Sequence, residues 1–171
     1  MADTSLAVLV DGILAANKTL AGIPSWEPSP RNDADRRLVW PLRINDTPCG
    51  TLEAVAFPFY GNSKEQWKIM VITADHCVSR LDFNPEAVHT NPLNLPSELQ
   101  GKIIWGPHYH AWADNRHLCT ASSLPVKISV ARLIPSNIRT FQNSLRWFCG
   151  ENNIELPTGP LVDLPPRETL L

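Results

Sequence analysis

Hydrophobic and polar positions change period twice along the chain. Leu6, Leu9, Val10, Ile13 and Leu20 recur at helical spacing, with Asp3, Thr4 or Ser5 placed to cap the start, which predicts an amphipathic helix over about 4–20. Residues 21–36, AGIPSWEPSPRNDADR, are rich in Pro, Ser and Asp and read as a loop. The period then shortens to two. RLVWPLRI (37–44) and TLEAVAFPFY (51–60) are strand-like runs joined by NDTPCG, whose composition favours a turn. Pro41 and Pro58 each lack a ladder donor, so both strands should be interrupted or lie at an edge. WKIMVITA (67–74) and HCVSRLDF (76–83) continue the series, and 84–100 is a proline-punctuated loop. KIIWGPHYHAW (102–112), broken at Gly106-Pro107, and the alternating PVKISVARL (125–133) complete it. Helical spacing returns at Ile138, Phe141, Leu145 and Phe148, between a Pro135-Ser136 start and a Gly150 stop, giving a helix over about 135–149.

These elements predict a single α+β domain over 1–156. Its form would be a curved, mainly antiparallel sheet of five or six strands within about 37–133, flanked by an N-terminal and a C-terminal helix. A Pro-rich tail at 157–171 should be extended or mobile. With 43% apolar and 19% charged residues the chain has globular composition, which excludes wholesale disorder. The four cysteines form no Cys-x-x-Cys pair, so zinc-ribbon spacing is absent. No run of about 18 apolar residues could span a bilayer. The apolar N-terminus carries Asp3 and no basic n-region, and Asp11 interrupts its apolar run, unlike an export signal, so a cytoplasmic location is expected. There is neither a Gly-rich phosphate loop nor a Gly-x-Ser-x-Gly elbow, which argues against nucleotide-driven work and hydrolase-fold esterase chemistry.

Charge and histidine change the picture. The net charge is −2, yet residues 101–150 carry +5, and all five histidines fall between 76 and 117. GPHYHAWADNRH (106–117) holds three of them. On an extended backbone His108, His110 and Trp112 point one way and Tyr109 the other. Imidazoles at i and i+2 suit two chemistries. One is acid–base cleavage of a phosphodiester without a metal or other cofactor. There His108 and His110 would act with Arg80 and Asp82, which share a strand face in VSRLDF. Arg116 and His89 would help hold the ligand, Arg139 and Arg146 would extend the basic field, and Tyr109 and Trp112 would stack a base. Small ribonucleases of the toxin kind, and small bacterial domains found with mobile elements, are similar in outline, without a shared motif. The other chemistry is metal binding by His108 and His110 with Asp114. That trio resembles a fragment of the cupin pattern, but the acid is Asp and no histidine follows His117.

The leading expectation is therefore a small cytoplasmic accessory protein that binds single-stranded RNA or a nucleotide. The alternatives are a non-catalytic interaction module, such as an inhibitor, antitoxin or assembly factor with a protein partner, and a His-x-His metalloprotein. Each piece also has a structural role open to it: a histidine pair bonded at a sheet rim, an Arg80–Asp82 ion pair, a solvated arginine stripe, and Asn91 and Asn115 as turn formers.

Overall fold

The computed structural model describes residues 6–57, 64–95, 98–120, 123–125 and 127–166. In chain order these form α1 (Leu6–Ala15), β1 (Lys18–Leu20), β2 (Glu27–Ser29), β3 (Asn32–Ile44), β4 (Thr47–Ala56), β5 (Trp67–Thr73) and β6 (His76–Phe83). There follow β7 (Val88–Thr90), β8 (Ile103–Trp105), β9 (His108–His110), α2 (Trp112–Asn115), a 3-10 turn (Arg116–Leu118), β10 (Arg132–Leu133), α3 (Phe141–Glu151) and β11 (Ile154–Glu155). The caps expected at Asp3, Thr4 and Ser5, the end of the second run including Pro58, Val126 and the last residues of the tail lie outside the described residues.

The class is α+β with a mostly antiparallel sheet. That sheet has nine strands rather than five or six, in the order β10-β9-β6-β5-β4-β3-β1-β11, with β2 also on β3. The extra strands β1, β2 and β11 are two or three residues long, too short to register a period of two. The long hairpins fall on the expected runs but reach beyond them: β3 begins at Asn32, inside the expected loop, and β4 at Thr47, inside the expected turn. Asn45-Asp46 and Ala74-Asp75 have positive φ in two-residue turns, the geometry that matches strand twist. No break occurs at Pro41. Its carbonyl accepts from Ala21 N at 2.9 Å, just past the end of β1, so the missing N–H faces a place where no ladder continues.

One face of the sheet is the core. Val10 of α1 and Phe141, Leu145 and Phe148 of α3 pack on Leu38, Leu42, Leu52, Trp67, Ile69, Val71 and Leu81. The N-terminal helix stops at Ala15, short of the expected 20, because Lys18 is buried and folds back. Its ammonium donates to the carbonyls of Ile13 (2.8 Å), Leu14 (3.2 Å) and Ala16 (2.7 Å), closing the helix end before β1 begins. The C-terminal helix starts at Phe141 instead of about 135, where the Thr140 hydroxyl accepts from Asn143 N. Residues 161–164 of the tail are docked: Leu161 is buried and Trp26 donates to the Asp163 carbonyl at 2.7 Å. Among the described residues no helix is long and apolar enough to cross a membrane.

The expected sixth strand departs most from the pattern. Among its described residues only Arg132–Leu133 pair as a strand, on β9. Before them Ile128, Val130 and Ala131 are buried, but side chains supply the hydrogen bonds of Val130 and Ala131. Asn115 Oδ1 accepts from Val130 N (2.8 Å) while its amide donates to Val130 O (2.9 Å). Asn91 does the same for Ala131 N (2.8 Å) and Ala131 O (2.9 Å). The two asparagines are thus buried substitutes for a neighbouring strand, not turn formers.

Gly50 sets the β4–β5 spacing. A Cβ there would stand 2.3 Å from the Ile72 carbonyl oxygen, with φ at +152°. Gly50→Ala is expected to cost roughly 2 kcal/mol or more in urea unfolding, the range for backbone strain. An unchanged midpoint would mean the strands separate freely.

Candidate functional site

The second face of the sheet carries the site. The β6–β9 register sets Arg80 opposite His110 and Asp82 opposite His108, and the β5–β6 register sets Lys68 opposite Asp82. Alternation sends Tyr109 through to the core face. There its hydroxyl lies 3.0 Å from Ser79 Oγ and its ring meets Trp147 and Phe148 edge-on. The β7–β8 ribbon covers the second face, turning His89 and Ile104 inward and Val88, Ile103 and Trp105 outward. His89, His108 and His110 therefore come together from two strands, β7 and β9, with ring centroids 5.0 to 5.1 Å apart.

Main-chain carbonyls set each ring's tautomer. His108 Nδ1 faces Gly106 O at 2.9 Å and His110 Nδ1 faces Val130 O at 3.1 Å. His89 Nε2 lies 3.0 Å from both Ser129 O and Asn91 Oδ1. An acceptor opposite a ring nitrogen requires that nitrogen to carry the proton, so the lone pairs are left on His89 Nδ1, His108 Nε2 and His110 Nε2. One potential ligand atom from each ring lies within 4.8 Å of the others. Tetrahedral zinc sets its nitrogens about 3.4 Å apart, inside this bound, so closing the site means drawing the rings together.

Asp82 completes the arrangement. Its Oδ2 is 2.7 Å from Arg80 Nε, 3.3 Å from His110 Nε2 and 3.6 Å from His108 Nε2. Its Oδ1 is buried without a hydrogen bond among the described residues, the Lys68 ammonium standing 3.9 Å away. Arg80 Nη2 also donates to His110 Nε2 at 2.9 Å. Lone pairs of a carboxylate and two imidazoles thus converge, two of them already met by N–H groups of Arg80, and a metal cation on His110 Nε2 would take the place of the Arg80 contact there. Protons are disfavoured. Burial pushes His108 down, and pushes His110 down to about 4 although Asp82 opposes it. Burial works against ionisation of Asp82, but the contact with His110 and the charges of Arg80 and Lys68 hold it down to about 2.

A pH dependence follows for the metal-free protein. The folded pKa of His110 lies below the ordinary 6.5, so the unfolded chain takes up a proton first as pH falls. Stability should be complete above 6.5 and decline as the pH drops to about 4, with Asp82 adding a loss between 3.8 and about 2. Urea midpoints across that range check this; a flat profile from neutrality to pH 4 contradicts it.

The structure brings together Arg80, Asp82, His89, His108 and His110 and sends the other sequence candidates elsewhere. The strand ends at His110, so Trp112 leaves the histidine face and donates its indole N–H to Asp11 at 2.8 Å. Arg116 clasps the same Asp11 carboxylate at 2.7 to 2.9 Å. Asp114 is taken by an ion pair with Arg132. Tyr109 belongs to the core, Arg139 bonds Ser136 O at 3.1 Å, and Arg146 is on the exposed face of α3. Lys68, Ser129 and the bonding role of Asn91 are not among the residues the sequence points to. His89-x-Asn91 repeats the i, i+2 spacing of His108-x-His110 and was the available signal. Comparison with protein-family models, with curated proteins and with solved structures found no match.

Proposed function

We propose that the protein is a metalloprotein that binds one divalent transition ion, of the zinc class, through His89, His108 and His110. The observation that carries this reading is the set of three converging imidazoles, each with its other nitrogen tied to a main-chain carbonyl. That second contact is the usual partner of a metal-bound histidine, because it fixes the tautomer and ring plane. Nitrogen donors favour zinc, iron, copper or nickel over magnesium and calcium. Burial that keeps His108 and His110 neutral makes them ready ligands, whereas an acid–base pair working without metal needs one of them charged. Arg80 already occupies Asp82 Oδ2, so Asp82 is placed to hold a water or other fourth ligand of the ion.

Elemental analysis and zinc titration of untagged protein test this. One equivalent is expected for the wild type and for Asp114→Ala, whose carboxylate belongs to Arg132, and none for the His108→Ala/His110→Ala double variant. Substoichiometric metal in the wild type, or full binding by the double variant, rejects the reading.

A further inference from the structure

We infer that the ligand of this centre is a small phosphate monoester, entering through the cavity between β5, β6 and β9 with Lys68 at its mouth. The inference rests on the metal reading above and adds the class of molecule the centre receives. A cavity of about 320 Å³ is lined by Asp82 and His108 together with Lys68, Phe57, Phe83 and Asn84. It is therefore a path by which a molecule from solvent reaches Asp82 and His108, one of the three histidines of the centre. Its volume lies at the small end of ligand sites and suits a compact ester, not a length of nucleic-acid strand.

Charge selects the ligand head. Lys68 and Arg80 stand on either side of the Asp82 carboxylate, at 3.9 and 2.7 Å. A divalent ion on three neutral imidazoles would leave this partly buried place with an excess of three positive charges. A phosphate dianion removes two of these, and a carboxylate only one. Lys68 is suited to the task. Its side chain is 43% exposed, its ammonium lies 5.3 Å from the centroid of the Phe57 ring, and its distance from Asp82 Oδ1 leaves donors unused. The walls select the ester group. Phe57 and Phe83 offer apolar ring surface, so a flat or aromatic substituent fits better than a sugar chain.

Cobalt(II)-loaded protein titrated with phenyl phosphate, inorganic phosphate and benzoate tests the inference, since the visible spectrum of cobalt changes when its ligands change. Phenyl phosphate is expected to alter the spectrum at concentrations at least tenfold below benzoate, with inorganic phosphate between them. Lys68→Met is expected to weaken phenyl phosphate by tenfold or more, with cobalt affinity measured separately on the same variant. Cobalt binding without response to either phosphate overturns the inference and leaves the metal centre standing. Equal affinity for benzoate and phenyl phosphate overturns the charge argument, and an unchanged phenyl phosphate affinity in Lys68→Met overturns the entry route. Absence of cobalt binding removes both the ligand and the centre.

Discussion

Asn91→Ala is expected to lower the melting temperature by roughly 10 °C, the consequence of losing about 3–5 kcal/mol in a domain of this size. The Asn91 amide donates to Leu99 O (3.0 Å) and Ala131 O (2.9 Å), and its oxygen accepts from Ala131 N (2.8 Å). Ala131 is fully buried, so alanine at 91 would leave its N–H and C=O without partners in a place closed to water. Each such orphan costs about 1–3 kcal/mol, more than the small net gain from an ordinary hydrogen bond. The substitution also removes one of the two acceptors at His89 Nε2, leaving Ser129 O as the other, so zinc affinity should fall with stability. Thermal unfolding of metal-free protein reads the first effect and calorimetric titration the second. A shift of only a degree or two would mean that water enters and replaces the amide.

The second large effect is stabilisation by the metal. Zinc at about a thousand times its dissociation constant should add roughly 4 kcal/mol, because the ion binds the folded chain, where three rings are already gathered. For a chain of this length that is a rise of roughly 8–16 °C in melting temperature. EDTA should reverse it. His89→Ala should abolish most of it while leaving the sheet intact, since His89 arrives on the β7–β8 ribbon and is only half-buried. His110→Ala is a harsher change, because that ring is fully buried and holds Val130 O. An equal rise in wild type and His89→Ala would place the zinc elsewhere.

The pattern of the sequence reached the long elements and the histidine face, and missed what is built by single side chains. Strands β3 to β6 were legible because each runs for seven residues or more with one face buried. Placing His108, His110, Arg80 and Asp82 together needed only alternation plus the pairing of β6 with β9. The stretch before Arg132 looked like a strand because its residues do alternate, yet Asn91 and Asn115 stand where the neighbouring strand would be. Periodicity cannot report that exchange. Trp112 failed for the opposite reason. The alternation that fixed His108 and His110 ends where α2 begins, and no residue at Ala111 announces the change. The candidates Arg116, Arg139 and Arg146 came from local charge, which says nothing about direction; their partners are Asp11, Ser136 and solvent. His89 joined the other two only when the ribbon folded over the sheet, a contact between distant segments that spacing along the chain does not encode.

The most direct measurement is nitrogen NMR of the histidine rings in uniformly labelled protein, before and after one equivalent of zinc. The account predicts that His89 Nδ1, His108 Nε2 and His110 Nε2 change together as ligand nitrogens, while His89 Nε2, His108 Nδ1 and His110 Nδ1 keep their protons. Zinc that leaves these three nitrogens unmoved, or that takes the carbonyl-bonded nitrogens instead, would contradict it.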